Sequence, residues 1–172
     1  MTNQLSPRGR EIVEAARRLL EDEGPDALSM RRLAARVGIR APSIYKHVAD
    51  KQALENELIS DGFEEQAAAF EAALGTSDPL GGIAAAYRRF AHEHPHLYRL
   101  MTERPLQRDR LRPGAEARAA APVQSATGDD PDAARAVWAF AHGMTILELN
   151  GRFPPGADLD AAWRRGLEAF RP

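Results

Sequence analysis

Two groups of side chains in this sequence have the types and spacing to do chemistry. The first is His92-Glu93-His94-Pro95-His96, which satisfies the pattern H-E-x-x-H. On a helix that spacing presents two imidazoles to a zinc ion, with the glutamate as general base. It requires one unbroken helix, and Pro95 breaks it. The ring clashes with the carbonyl of Ala91, and the residue before a proline is pushed out of the α region. The predicted outcome is a helix-helix corner, not a metal site. No cysteine is present, which excludes thiol nucleophiles, disulfides and cysteine-ligated zinc. No phosphate-binding loop, G-x-S-x-G elbow or dinucleotide fingerprint occurs either. The second group is basic. Between Ser29 and Lys51 stand Arg31, Arg32, Arg36, Arg40, Lys46 and Lys51 against a single acid, Asp50. That local +5 lies in a chain whose formal net charge is −2, the footprint of a nucleic-acid-binding patch.

The elements that must position the basic group are short. Met30, Leu33, Ala34 and Val37 recur at helical spacing, with Ser29 placed to cap the first free N–H groups. Gly38 follows, where a short helix needs a residue that accepts φ > 0. A second helix then begins near Pro42, which is tolerated only in a first turn. Ile44, Tyr45 and Val48 are candidates for its inner face. Asp50 reads as the cap of a third, longer helix. Two helices joined by a tight glycine turn form the helix-turn-helix, whose second helix enters a major groove.

Residues 8–54 resemble the N-terminal domain of the TetR family of transcriptional regulators. The resemblance rests on IRAPSIYKHVADKQAL, in which Tyr45, His47, Lys51 and Leu54 match the family's pattern. Val48 stands where phenylalanine is more common, and Ala49 where proline is; both departures concern packing. The resemblance implies that Tyr45 and Lys51 bind DNA phosphates, and Ser29, at a helix N-terminus, is expected to add a third contact. Arg40, Ala41, Ser43, Lys46 and His47 are the exposed positions expected to face DNA. Arg40 is the first candidate for a base contact, since its fork fits guanine O6 and N7, and Lys46 is the second.

Around this module the chain reads as helical throughout, an all-α fold. A first helix spans about Arg8–Glu23, with Ile12, Ala15, Ala16, Leu19 and Leu20 inward and its acids expected to face solvent. Residues 1–7 are expected to form a frayed arm, so any groove-reading arm would begin at Arg8 and Arg10. A long helix from Asp50 to about Leu74 links the module to the C-terminal part of the chain. The working division is a DNA-binding domain over residues 1–54 and a helical regulatory and dimerisation domain over 55–172. In the family, the linking helix transmits ligand-driven movement. Further helices are expected over about 78–94, 95–102, 114–124, 132–150 and 158–170. Arg104, Arg108, Arg110 and Arg112 lie in a loop whose composition suggests a solvated segment.

The 132–150 helix is apolar on nearly every face and must be covered all round, most simply by a second subunit. Its Trp138…His142-Gly143 pattern resembles the WHG-type C-terminal domain of one branch of the family. Val137, Ala141, Met144, Trp163, Leu167 and Phe170 are the expected dimer interface. Tyr87, Phe90, Tyr98, Met101, Trp138 and His142 are the groups expected around an effector pocket. No apolar run is long enough for a membrane helix, and MTNQLSPRGR lacks the core of a signal peptide, so a cytoplasmic protein is expected. The function expected is a homodimeric regulator, a repressor of a palindromic operator released by a small molecule, with no cofactor or metal. The alternatives are a helical protein-protein adaptor and a metal-dependent enzyme built on His92–His96.

Overall fold

The computed structural model describes residues 5–171, so residues 1–4 of the expected arm lie outside it. Nine α-helices and three 3-10 turns make up the described chain, and no strand occurs among those residues. Packing divides it into two units that interleave in sequence. One runs through Gly62 and takes in His94–Ala115, while the other holds Phe63–Glu93 and the chain from Glu116 onward. The expected cut at residue 54 follows motif; this division follows packing.

The first unit is built on α1 (Pro7–Glu23), α2 (Met30–Arg36) and α3 (Ala41–Ile44). Ser6 caps α1 by accepting from the Gly9 N–H at 3.1 Å, with Pro7 in the first turn. Ile12, Ala16, Leu19 and Leu20 are buried against Leu33, Ala34 and Ile44 in a shared apolar core. Ser29 caps α2 through the Arg32 N–H at 3.3 Å. Gly38 follows at φ +70° with open space where a Cβ would stand, so backbone conformation alone demands glycine there. Then comes α3, a single turn, shorter than the expected second helix. Ile44 and Val48 point inward as predicted, whereas Tyr45 is 52% exposed and leaves the expected inner face.

Asp50 does cap α4 (Lys51–Leu74), accepting from the Ala53 N–H at 2.7 Å. The first half of α4 packs in this unit on α6 (Pro95–Thr102). They approach closely at Gly62, where an added Cβ would lie 2.5 Å from Met101 Sδ and 3.1 Å from Leu97 Cδ2. Gly62→Val should therefore cost about 1–3 kcal/mol through overpacking. Thermal unfolding checks this; an unchanged midpoint would mean that Met101 yields freely. Against the expectation from sequence, the acids of α1 do not all face solvent. Glu21 accepts from the Leu97 N–H at 3.1 Å and so caps α6 from another helix.

The second unit comprises the rest of α4, α5 (Pro79–Glu93), α7 (Ala115–Ala126), α8 (Pro131–Leu149) and α9 (Leu159–Leu167), with Ala115 itself counted in the first. Asp78, Asp130 and Asp158 cap α5, α8 and α9 through hydrogen bonds to backbone N–H groups. Leu80, Ile83, Tyr87 and Phe90 form the inner side of α5. Val137, Ala141 and Thr145 form that of α8, and Trp163 and Leu167 that of α9. Phe140 meets Trp163 edge-on, with ring centroids 5.5 Å apart.

One carboxylate ties these helices together. Glu148, its side chain 3% exposed, accepts from Arg88 Nε at 2.8 Å and Trp163 Nε1 at 2.5 Å, and lies 3.1 Å from His92 Nε2. Burial works against the Arg88 charge, but hydrogen bonds to Asp160 and Glu148 outweigh it and hold its pKa above the usual arginine value.

Candidate nucleic-acid interface

The turn between α2 and α3 is braced from α1. Arg8 donates to the carbonyl of Val37, the last residue before Gly38, at 2.8 Å and also pairs with Glu11. Its guanidinium is thus engaged with protein, so Arg8 is scaffold and not the start of a groove-reading arm. Arg10 donates to the Leu5 carbonyl at 2.9 Å.

The six basic residues of the motif separate into two kinds. Arg32 pairs with Glu23, and Arg36 reaches Asp22 at 3.1 Å and Glu23 at 3.2 Å, so acids at the end of α1 answer both. Lys51 lies 3.7 Å from Glu55 but keeps a half-exposed ammonium. Arg31, Arg40 and Lys46 are exposed and have no carboxylate within ion-pair distance among the described residues. The free positive charge is therefore narrower than the +5 counted from sequence and lies at the start of α2 and around α3.

The residues expected to face DNA differ in exposure. Arg40 is exposed and immediately precedes α3, with Tyr45 and Lys46 exposed just past its end. Ala41, Ser43 and His47 are half-buried, and His47 Nδ1 lies 3.4 Å from Ser6 Oγ. Ser29 is half-buried and spends its hydroxyl oxygen on capping α2. Arg31 joins them, though the motif did not single it out. It follows buried Met30 and lies one turn before buried Ala34, at the flank of the apolar stripe, so its exposure was not marked by spacing. This arrangement offers guanidinium, ammonium and phenol groups to an anionic surface, which suits phosphate oxygens and base edges.

The remaining site expectations need correction. Val137, Ala141, Trp163 and Leu167 are each no more than 5% exposed within a single chain, so they cannot be direct contacts with a second subunit. Met144 and Phe170 are half-buried. The large apolar residues open on α8 are instead Trp138, 53% exposed and stacked on His142, and Leu147, 41% exposed. Trp138 therefore belongs to an outer surface and not to a pocket. Tyr87 and Phe90 are buried in the second unit, Tyr98 and Met101 in the first, so the expected pocket set does not gather in either. A cleft of about 280 Å³ opens instead in the first unit, between the start of α4 and the end of α6 with the segment after it.

The histidine cluster parts as predicted. His94, at φ −131° and ψ 57°, interrupts the helix, leaving His92 on α5 and His96 on α6. Among the described residues no three potential ligand side chains converge as a metal site would require. Arg104 lies 3.5 Å from Glu55, and Arg112 is held by Glu57 and Asp61 at 3.0 and 2.6 Å, so these loop arginines are answered by α4.

Comparison with known proteins bears directly on this arrangement. Residues 12–58 match the family described as bacterial regulatory proteins, tetR family, and residues 80–170 match the tetracyclin repressor-like C-terminal domain. The HTH-type transcriptional regulator Rv0681 of Mycobacterium tuberculosis is 34% identical over 151 residues, 81% of this chain and 69% of that protein. A protein with unknown function from Rhodococcus sp. RHA1 superposes with a TM-score of 0.76 at 25% identity, over 99% of this chain and 98% of the other. The multidrug binding protein EbrR, complexed with imidazole, superposes with a TM-score of 0.63 at 25% identity, over 97% and 96%.

Proposed function

Since the chain belongs to the TetR family of DNA-binding transcriptional regulators, we propose that it is a repressor that binds a palindromic operator as a homodimer and is released by a small molecule. The observation that carries the reading is the surface of the helix-turn-helix. Arg31, Arg40 and Lys46 are free of carboxylate partners among the described residues, and Tyr45 stands exposed between them. Tyr45 donates its hydroxyl to a phosphate, Lys51 acts as a point charge on another, and Ser29 lies where α2 presents free N–H groups. Arg40 reads a base edge through its fork, with Lys46 beside it.

Homodimerisation is proposed through α8. Its large exposed apolar side chains, Trp138 and Leu147, stand about half a turn apart around the helix and are open to cover by a second copy. A two-fold dimer places two recognition elements on two half-sites, which doubles the number of bases read. Leu147→Glu should then convert a dimer into a monomer by light scattering, without loss of helix content. An unchanged mass would move the interface elsewhere. Release by a ligand requires differential affinity for two conformations. Tyr87, Phe90 and His142, all of the second unit, are the groups proposed near such a ligand.

The experiment that tests the reading is selection of bound sequences from random duplex DNA, followed by titrations at several salt concentrations. A palindrome bound tightly with a steep salt slope supports it. Weak binding indifferent to both sequence and salt rejects it.

A further inference from the structure

The segment after α6 brings the chain back to the start of α4, where Lys51 stands. The two helices run antiparallel: Leu97 and Met101 meet Gly62, whereas Arg104, just past α6, reaches Glu55 in the second turn of α4. Pro105, Leu106 and Gln107 continue beside Gln52 and Asn56 as walls of the cleft. At Arg112 the chain has climbed α4 again. There its N–H donates to Ser60 Oγ at 3.0 Å and its guanidinium is held by Glu57 and Asp61. The loop in between carries Arg104, Arg108 and Arg110, all exposed, against one acid, Asp109. Lys51 and Arg104 share a carboxylate. Glu55, its side chain 7% exposed, lies 3.7 Å from Lys51 Nζ through one oxygen and 3.5 Å from an Arg104 nitrogen through the other. Both contacts are longer than the roughly 2.7–2.9 Å of a charge-assisted hydrogen bond. One negative charge thus answers two positive ones, and both cations stay about half exposed or more.

We propose that the loop after α6 extends the nucleic-acid interface beyond the helix-turn-helix, with Arg104 binding a DNA phosphate beside the one taken by Lys51. Two cations flanking one carboxylate stand side by side, as neighbouring phosphates of a strand do, and Glu55 fixes the spacing between them. The planar fork of Arg104 suits phosphate oxygens, and its pair with Glu55 is long and solvated enough to yield to one. Arg108 and Arg110 add positive potential to the same loop; the Asp109 contact of Arg110, at 3.7 Å between two mostly exposed groups, is screened by water. Arg112 takes no part, because its guanidinium is spent on α4. The proposal rests on the DNA-binding reading above, through Lys51.

Anisotropy titrations of the full chain on a selected operator and on an unrelated duplex, each at several salt concentrations, test this. Arg104→Ala should weaken both by about tenfold and lower the salt slope of a dimer by about two. Arg104→Lys, which keeps the charge and loses the fork, should retain the slope. Arg165→Ala removes a still more exposed arginine, on α9, and should change neither quantity. An equal loss in that variant would reduce the effect to net charge and overturn the contact. The loss from Arg104→Ala should also persist in a Lys51→Ala background, where Glu55 has no lysine left to claim. If it vanishes there, Arg104 acts only by sparing Lys51, and the direct contact is overturned. An unchanged slope in Arg104→Ala, with Lys51→Ala still weakened, overturns the extended interface and leaves the regulator reading intact. A parent chain that binds no duplex rejects that reading and the extension with it.

Discussion

Lys51→Ala should weaken binding to every DNA sequence by the same factor. Its ammonium is about half exposed at the start of α4, past the end of the recognition turn, and its pair with Glu55 at 3.7 Å is loose enough to yield to a phosphate. A phosphate contact releases about one counterion, worth on the order of 1 kcal/mol at physiological salt. Two such contacts in a dimer amount to about thirtyfold in affinity, and the salt slope should fall by about two. Anisotropy titrations on a selected operator and on an unrelated duplex measure both quantities. Equal fractional loss on the two supports a phosphate role. A changed sequence preference with an unchanged salt slope would make Lys51 a base reader instead.

The second large effect concerns stability. Glu148→Ala removes the acceptor shared by Arg88, His92 and Trp163, which lie on α5 and α9. Breaking a buried pair on one side strands the other charge. Here Arg88 is partly exposed and keeps Asp160 at 2.6 Å, so the cost should sit at the low end, about 3 kcal/mol. For a chain of this size that lowers the unfolding midpoint by roughly 6–12 °C. Asp160→Ala, which removes the solvent-facing partner of the same arginine, should change the midpoint little. Parallel thermal melts decide the matter. If the two variants fall together, solvent screens the whole cluster and Glu148 is no hub.

Much of the helix-turn-helix could be read before any coordinates. Ser29, Gly38, Asp50 and Asp158 act where their chemistry dictated, because capping and positive φ depend on neighbours within three or four residues. Pro95 split the histidine cluster for an equally local reason. Tyr45 was ambiguous, since a phenol suits both an inner face and a phosphate; its 52% exposure rules out the first. The charge count overstated the patch, because Asp22 and Glu23 lie outside the motif in sequence and beside Arg32 and Arg36 in space. Nothing local marks Glu21 as the cap of a helix 76 residues later, nor Glu148 as the acceptor for three helices' packing.

The surface proposed for dimerisation shows the same division. Periodicity established that α8 is apolar on several faces, but every apolar face looks alike in one dimension. Only when α5 and α9 covered Val137, Ala141 and Thr145 did Trp138 and Leu147 emerge as the large apolar side chains of α8 left open. By itself, then, the sequence determined what depends on short range: the helices, their caps and breaks, the recognition motif, and the family its residues resemble. The tertiary structure decided which like residues are buried and which are free, and which distant charges cancel. Burial and ion pairing are properties of neighbours in space, and the chain's order in sequence does not specify them.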